Sequence, residues 1–446
     1  MNGSFVSVLL LCLLALGCAE QPSARTTTES QLLEEIGRIK AIDNHAHPAA
    51  VVGEGDKPDD EFDALPLDAL EPFPSPVRLR PGNPEYASAW HAFFRYPYTD
   101  VSPPHVAEGM KIKQQVMREH DDSYPTWVLD QLGIDTLFAN RVAPGRGLNA
   151  PRFRWVPFVD ALILPLSNER ARRSNNDYRD LYPNETRLLR RYLRALQIDT
   201  LPTTLDAYLH HVVTPTLERQ RHDGAVAVKF EAAYLRRLDF DDAAESDAQR
   251  IYGQYVSGGE PPVGEYKVLQ DFLFRYIARE SGRLGLAVHI HVLDGAGGYY
   301  TPGGSNPALL ESAFNDPSLR KTSFVIVHGG YPFTRQVASL LAKPNVYADF
   351  SGQTFYLYPR GLSDVLRNWL ESFPEKGLFG TDASPISAEF GWEETGWLST
   401  TTARRALALA LMGMLDDGEI TRVRASELAN MVLRENAMTL YGLRAQ

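Results

Sequence analysis

Cysteine is almost absent from this chain. Its 446 residues include only two cysteines, Cys12 and Cys18, and both lie close to the N-terminus. A mature chain that starts at or after Cys18 cannot form an intramolecular disulfide, and it has no thiolate to act as a nucleophile or a metal ligand. Any metal site must therefore be built from histidine, aspartate, glutamate or an oxygen derived from lysine.

A net positive charge, sequence repeats and phosphate-binding loops are also absent from the sequence. The formal net charge of −11 argues against a nucleic-acid partner, because phosphate binding normally needs a basic surface. We find no internal repeat and no glycine-rich phosphate loop. With 44% hydrophobic and 23% charged residues the composition is that of a globular protein. The length suits either two or three average domains or one α/β barrel with insertions.

The longest apolar run near the N-terminus, Val6 to Leu16, is too short to span a bilayer and has the length of a signal peptide. It ends in Ala15-Leu16-Gly17-Cys18, which resembles the lipobox of bacterial lipoproteins. The match departs from that pattern in having no Lys or Arg before the run and no leucine three residues before the cysteine. We expect a signal peptide over residues 1–18 and an exported protein. It would be either anchored to the membrane through a lipidated Cys18 or released into the periplasm after a plain secretory signal.

Two histidines close the first predicted strand. In Ala41-Ile42-Asp43-Asn44-His45-Ala46-His47-Pro48 an apolar run ends at His45 and His47. Residues two apart project from the same face of a β-strand, so both imidazoles can reach one ion. Imidazole nitrogen suits zinc and its first-row neighbours. A lone His-x-His is more often a surface or hydrogen-bonded pair, so the metal hypothesis depends on further ligands.

Eight short apolar runs alternate with helical patterns along the rest of the chain. Such runs suit parallel strands that are covered on both faces, and eight β/α units predict a (β/α)8 TIM barrel in the α/β class. We expect the domain to span 19–446, with insertions near 49–104, after strand 1, and near 165–200, after strand 3. The predicted strands begin at 41 and then cover 134–139, 154–164, 225–230, 286–292, 323–327, 345–350 and 377–380.

Ionisable residues stand at the C-terminal ends of several of these strands, where a TIM barrel carries its chemistry. They are His45 and His47 on strand one, Lys229 on strand four, His291 on strand five, His328 on strand six and Asp382 after strand eight. A buried lysine is costly without a partner. A single buried histidine is usually a satisfied core residue, but this many at one end of a barrel indicate a metal site.

With this set assembled, the sequence resembles the amidohydrolase superfamily of metal-dependent hydrolases, in its amidohydrolase 2 subgroup. The resemblance covers about Ile42 to Leu443 and is weakest in the two insertions. Its motifs are specific for the superfamily but not for one reaction. They are Ile42-Asp43-Asn44-His45-Ala46-His47, Val228-Lys229-Phe230-Glu231-Ala232-Ala233-Tyr234, His328-Gly329-Gly330-Tyr331-Pro332-Phe333, Asn345-Val346-Tyr347-Ala348-Asp349, Gly380-Thr381-Asp382-Ala383 and Glu435-Asn436-Ala437.

The resemblance implies one or two divalent cations, with zinc the expected metal. His45, His47 and Asp382 would hold the first ion, and Asp382 would also take a proton from the attacking water. His291 and His328 would hold a second ion where there is one. In relatives with a single ion the strand-five histidine joins the first site and the strand-six histidine acts on the substrate.

The sequence leaves alternatives open at two places in the predicted site, the chemical state of Lys229 and the choice between His289 and His291 as the ligand. Lys229 would be carboxylated and bridge two ions, or it would remain an amine that pairs with Asp382 or binds a substrate carboxylate. On strand five, His289 shares a face with His291 but lies one step deeper, where packing and supporting roles are commoner. The strand geometry therefore favours His291 as the ligand.

Residues after strands four and six are candidates for binding a small-molecule substrate. They are Tyr234, Arg236 and Tyr331, although Leu235 occupies the place where the family pattern expects the arginine. The favoured function is hydrolysis of an amide, another C–N bond or an ester by a metal-activated water. The alternatives are a decarboxylase or isomerase on the same barrel and, less favoured, a non-catalytic exported binding lipoprotein.

Overall fold

The structure of the protein is a computed structural model that describes residues 24–53, 55–64, 76–175, 178–293 and 302–443. The predicted signal peptide and Cys18 lie outside the described residues. Eight strands are found within these ranges. They are β1 (Ala41–Ala46), β2 (Ile134–Asn140), β3 (Phe153–Val156), β4 (Ala227–Phe230), β5 (Ala287–His291), β6 (Phe324–Val327), β7 (Val346–Asp349) and β8 (Gly377–Leu378).

Helices lie between most pairs of consecutive strands. The described α-helices are α1 (Ala24–Arg38), α2 (Glu85–Phe94), α3 (Pro103–His120), α4 (Tyr124–Leu132), α5 (Glu169–Ser174), α6 (Leu181–Ala195), α7 (Leu205–Tyr208), α8 (Thr214–His222), α9 (Ala232–Leu235), α10 (Glu245–Tyr255), α11 (Val263–Leu284), α12 (Glu311–Asn315), α13 (Thr334–Leu340), α14 (Gln353–Tyr356), α15 (Pro359–Ser372), α16 (Trp392–Asp416), α17 (Arg422–Asn430) and α18 (Asn436–Tyr441). One π-helical turn joins α7 to α8, and another joins α17 to α18.

All strand pairs are parallel, and they form one sheet in the order β1-β2-β3 and a second in the order β4-β5-β6-β7-β8. Backbone hydrogen bonds join the two sheets at both gaps. Between β3 and β4, the amide of Lys229 donates to the carbonyl of Pro157 at 2.8 Å. Between β8 and β1, the amide of Asn44 donates to the carbonyl of Phe379 at 2.9 Å, and that of Asp382 to His45 at 2.7 Å. The predicted (β/α)8 barrel is confirmed.

The third strand is shorter than the sequence prediction of 154–164. It ends at Val156, and Asp160–Ile163 form a 3-10 turn. Pro157 follows the strand directly. Proline has no amide hydrogen, so it cannot donate a hydrogen bond to a neighbouring strand. The apolar residues beyond it are buried, but they pack in the turn rather than extend the strand. An apolar run alone does not distinguish these two outcomes.

The apolar side chains divide between the barrel interior and the layer between strands and helices. A small interior cluster includes Ile42, Phe138 and Val325, and it packs against Tyr441 of the last helix, α18. The larger cluster fills the space between the strands and the surrounding helices. Burying both faces explains why the strands read as continuous apolar runs.

The described parts of both predicted insertions pack onto the barrel. In the first, the aromatic side chains of Trp90, Phe93 and Tyr96 are buried. The indole of Trp90 donates to the Glu394 carboxylate of α16 at 2.7 Å. These rings therefore anchor the described part of the insertion against α16. In the second, α6 is amphipathic and buries one side, including Glu185. No helix among the described residues is long and apolar enough to cross a membrane.

Candidate metal centre

The predicted ligands come together at the C-terminal ends of the strands. His45 ends β1, Lys229 lies in β4, His291 ends β5, His328 directly follows β6, and Asp382 follows β8. The backbone turns sharply where two of them leave their strands, because His328 and Asp382 have φ angles of +64° and +58°. A positive φ is uncommon for residues other than glycine and is typical of functional turns.

His45, His47 and Asp382 form a compact triangle of ligand atoms. The two imidazole Nε2 atoms lie 3.3 Å apart. Asp382 Oδ1 is 3.2 Å from His45 Nε2 and 3.6 Å from His47 Nε2. Ligand atoms bound to tetrahedral zinc at 2.0–2.1 Å stand about 3.3 Å from one another. The donor types and spacings of this triangle therefore fit a divalent cation.

A second pair of imidazoles lies beside this triangle. His291 Nδ1 is 3.0 Å from His328 Nε2, a separation that also suits two ligands of one ion. His328 Nδ1 lies 3.8 Å from Asp382 Oδ2, so the pair adjoins the first three residues. His45, His328 and Asp382 also offer one ligand atom each within 4.8 Å of one another. The arrangement can accommodate one ion or two.

Lys229 lies between the imidazoles and a second acidic residue. Its Nζ is 3.4 Å from His45 Nε2 and 3.6 Å from Glu231 Oε1. The carboxylate found beside the ammonium is thus Glu231, which lies only two residues further along the chain. Glu231 stands in the quoted motif, but its role was missed because its pairing depends on the turn after β4.

His47 has a carboxylate on its other side. Its Nδ1 is 3.0 Å from the carbonyl of Phe62 and 3.3 Å from Asp63 Oδ2. Hydrogen bonding at Nδ1 fixes the ring so that Nε2 faces Asp382, as is usual for metal-binding histidines. His47, Asp63 and Glu231 form a second group with ligand atoms within 4.8 Å. Asp63 comes from the first insertion, whose fold the sequence does not predict.

Burial dominates the electrostatics of the site. It lowers the pKa of His45 and of His328 well below the usual range, and the positive charge of Lys229 acts in the same direction. Both rings are therefore neutral and keep a lone pair for an ion. Burial also raises the pKa of Asp382 well above its usual range, although Lys229 opposes that shift. A cation bound at this carboxylate would favour its charged form.

The other predicted residues differ in their placement. Tyr234 faces the site, since its hydroxyl lies 3.3 Å from His291 Nδ1. Arg236 is not brought to the cluster, because its guanidinium donates to Asp271 at 2.6 Å and lies over the ring of Phe240. Arg236 stands one residue later than the position where the family pattern expects an arginine, and from there its side chain pairs with Asp271 of α11.

Contacts with other rings place Tyr331 and His289. The ring of Tyr331 lies against Tyr356 with centroids 5.0 Å apart. His289 points toward α18, where its Nε2 is 2.7 Å from the hydroxyl of Tyr441. Burial lowers the pKa of His289 to about 3, so the ring is neutral. His291, two residues further along, contacts the imidazole of His328.

A cavity of about 570 Å³ borders this region. Asp63, which contacts His47, forms part of its wall together with Glu185 and Arg191. Small-molecule sites commonly have volumes of about 300–1,000 Å³. The volume of this cavity lies in that range, but none of the predicted ligands lines it, and its link to the metal centre is the contact of Asp63 with His47.

Comparison with known proteins places this site in a family. Histidines, a lysine and an aspartate at the C-terminal ends of parallel strands define a barrel protein of the metal-binding type. The amidohydrolase family model matches residues 166–443, more than half of the chain. This protein belongs to the amidohydrolase family.

Individual relatives are more distant. Protein fluG of Emericella nidulans is 32% identical over 145 residues, which make up 32% of this chain and 16% of that relative's length. Glucuronate isomerase from Caulobacter crescentus has a TM-score of 0.62 at 17% identity, covering 95% of this chain and 96% of its own. A Lactobacillus casei protein named for a proposed metal-dependent hydrolase activity has a TM-score of 0.61 at 15% identity, covering 93% and 99%. At these identities the solved structures show a shared fold.

Proposed function

We propose that the protein is a metal-dependent hydrolase that cleaves an amide, another C–N bond or an ester in a small molecule. The observation that carries the proposal is the triangle of His45 Nε2, His47 Nε2 and Asp382 Oδ1, with separations of 3.2–3.6 Å. Two neutral imidazoles and a carboxylate are a common zinc-binding set. We propose zinc as the ion, held at this triangle and, where a second ion binds, by His291 and His328.

The chemistry then divides between the ion and Asp382. A divalent cation polarises a carbonyl oxygen and lowers the pKa of a water that it binds to about 7. Asp382 Oδ1 lies beside His45 and His47, while Oδ2 lies on the side of His328. We assign Oδ2 as the atom that accepts the proton of the attacking water and returns it to the leaving group.

The neighbouring side chains would bind and orient the substrate. The hydroxyl of Tyr234, at the edge of the imidazole cluster, can donate to a substrate oxygen. Lys229, paired with Glu231, supplies fixed positive charge close to His45. A carboxylated Lys229 would instead add a ligand for two ions.

A second candidate reaction is isomerisation or decarboxylation on the same barrel. The observation that favours it is the near-complete overlap with solved structures whose names are glucuronate and uronate isomerase, from Caulobacter crescentus and Thermotoga maritima. These reactions need a cation and an acid–base residue but no attacking water. The same side chains could therefore serve either class.

A substrate panel tests the proposed function. Purified protein with its bound metal is assayed on amides, esters, aromatic carboxylic acids and uronates, with and without a chelator. We expect hydrolysis that stops on chelation, and a loss of at least about 100-fold in the Asp382→Asn variant, as is usual for a general base. The matched control is Asp130→Asn, which alters an exposed ion pair with Arg152. Full activity of Asp382→Asn, or turnover of uronates alone, would refute the hydrolase assignment.

We also propose that the protein is exported, anchored through a lipidated Cys18 or released after signal cleavage. The apolar run 6–16 and the residues up to Cys18 support this proposal. Mass spectrometry of the native N-terminus distinguishes the two arms, since lipid attached at Cys18 indicates anchoring and an unmodified cleaved terminus indicates secretion. An intact Met1 in the mature protein would contradict both.

A further inference from the structure

A buried hydrogen-bond chain runs from the candidate metal centre to the C-terminal helix. His328 Nδ1 lies 3.0 Å from Ser351 Oγ, and Ser351 Oγ lies 2.5 Å from Asp349 Oδ1. On the other side of Asp349, Oδ2 accepts a hydrogen bond from the side-chain amide (Nδ2) of Asn44 at 2.7 Å. Asn44, Ser351 and Asp349 are fully buried, so water does not substitute for any of these contacts.

At the other end of this series of hydrogen bonds, Tyr441 fixes the orientation of the Asn44 side-chain amide. Its Nδ2 donates to Asp349, so its Oδ1 has to accept the hydroxyl of Tyr441, which lies 2.5 Å away. The single hydroxyl hydrogen of Tyr441 is then used, and His289 Nε2 must donate to Tyr441 across 2.7 Å. The hydroxyl hydrogen of Tyr441 and the Nε2 hydrogen of His289 are thereby assigned.

Asp349 is the acceptor at which two sets of donors meet. Its Oδ1 accepts the backbone amides of His328 and Ser351, each at 3.0 Å, as well as the Ser351 hydroxyl. Burial raises the pKa of the Asp349 carboxyl, whereas the hydrogen bonds from Ser351, His328 and Asn44 lower it and favour the ionised form, which accepts hydrogen bonds and donates none. Ser351 therefore gives its one hydroxyl hydrogen to Asp349 and can only accept from His328.

We propose that Ser351 and Asp349 are positioning residues that hold His328 in its Nδ1–H tautomer, so that the lone pair of Nε2 points at the metal centre. The donor inventory leaves Nδ1 as the nitrogen that carries the hydrogen. Nε2 faces His291 Nδ1 at 3.0 Å, within the region where ligand atoms converge. The opposite tautomer would place a hydrogen on Nε2 and remove that ligand.

The backbone contributes to the same arrangement. His328 has a φ of +64°, and its amide hydrogen bond to Asp349 holds this turn. One carboxylate thus sets both the path of the chain through His328 and the orientation of its ring. The inference about the tautomer stands on this geometry, and only the use of Nε2 rests on the proposed function.

Nitrogen NMR of the purified, metal-containing protein labelled with ¹⁵N-histidine tests the tautomer. The Nδ1 and Nε2 shifts distinguish which nitrogen carries a hydrogen, and the His328→Asn variant assigns the signals. We expect a protonated Nδ1 in His328 and an Nε2 without hydrogen. A protonated Nε2 in the unsubstituted protein would overturn the proposal, whatever the activity of the protein.

Variants of Ser351 test the consequence. In Ser351→Ala we expect mixed His328 tautomers, and a decrease of about 10- to 100-fold in zinc affinity or in turnover, the usual effect of removing a partner of a metal ligand. Ser351→Thr keeps the hydroxyl oxygen and should restore most of the loss. The matched control is Ser399→Ala, which removes a buried hydroxyl bonded to Thr354. Equal effects in Ser351→Ala and Ser399→Ala would also overturn the proposal.

The two proposals can fail separately. If the tautomer is as expected but no hydrolysis is found, the hydrolase assignment fails and the positioning role stands. If hydrolysis is found while Ser351→Ala leaves the tautomer and turnover unchanged, the positioning role fails.

Discussion

Gly352 allows His328 and Asp382 to approach each other, and replacing it with alanine should disable the site. Its φ is +65°, and a Cβ added there would lie 2.7 Å from His328 Nδ1 and 3.0 Å from Asp382 Oδ2. Ordinary contacts begin at 3.4 Å, so one ring or the backbone must move by about 0.7 Å. A displacement of about 1 Å at a reacting centre can reduce the rate about 100-fold.

Backbone strain alone would not produce that loss. An alanine in the left-handed region costs about 1–2 kcal/mol of folding stability. Gly418 has a φ of +73° with open space around its Cβ position, so Gly418→Ala incurs the strain without the collision. It is the matched control for Gly352→Ala.

The assay compares zinc affinity and the free energy of unfolding in both variants. We expect both to lose about 1–2 kcal/mol of stability, and only Gly352→Ala to lose zinc binding and turnover. If Gly352→Ala binds zinc as tightly as Gly418→Ala does, the close packing of His328 and Asp382 is not required, and the reasoning is refuted.

Three further predictions concern the scaffold. Lys113→Met should reduce the free energy of unfolding by about 3–5 kcal/mol, because it leaves two buried carboxylates without their cation. These are Glu393 and Glu394, which lie 2.7 and 2.8 Å from the ammonium. Urea unfolding measures the change, and a loss below about 1 kcal/mol would contradict the prediction. Burial raises the pKa of Glu394 in the folded protein from 4.5 to about 7, so the folded state binds the proton more tightly than the unfolded state. The contribution of Glu394 to stability should therefore fall as the pH rises from about 4.5 to 7. The free energy of unfolding is measured across that range in the unsubstituted protein and in Glu394→Gln, and an equal slope in both would contradict the prediction. Arg236→Met should destabilise the fold through its lost pair with Asp271 but leave zinc affinity unchanged, and an altered zinc affinity by calorimetry would return this arginine to the site.

The fold follows from the sequence because parallel strands covered on both faces appear as continuous apolar runs. The same pattern explains the one strand that was too long, since residues beyond Pro157 are equally apolar but pack in a 3-10 turn. Apolar character reports burial, and it does not report whether the backbone is extended.

The predicted ligands were found because each stands at a strand end, where the barrel itself brings them together. Their supporting partners could not be predicted in this way. Asp63 reaches His47 from an insertion, and Ser351 reaches His328 from the loop after the next strand. These contacts depend on turns whose geometry the local sequence does not specify. Gly352 was the available signal for the second of them, since it marks a close approach of backbone to a side chain.

A cation between His45, His47 and Asp382 is the feature on which the proposed chemistry depends. Anomalous diffraction at the zinc edge, from crystals of protein purified without added chelator, measures this. We predict a peak about 2.0–2.2 Å from His45 Nε2, His47 Nε2 and a carboxylate oxygen of Asp382. A second peak beside His291 and His328 would establish a two-ion site, and the electron density at Lys229 Nζ would show whether this lysine is carboxylated. Full occupancy of zinc elsewhere, or no anomalous peak at these residues in zinc-supplemented protein, would contradict the central claim.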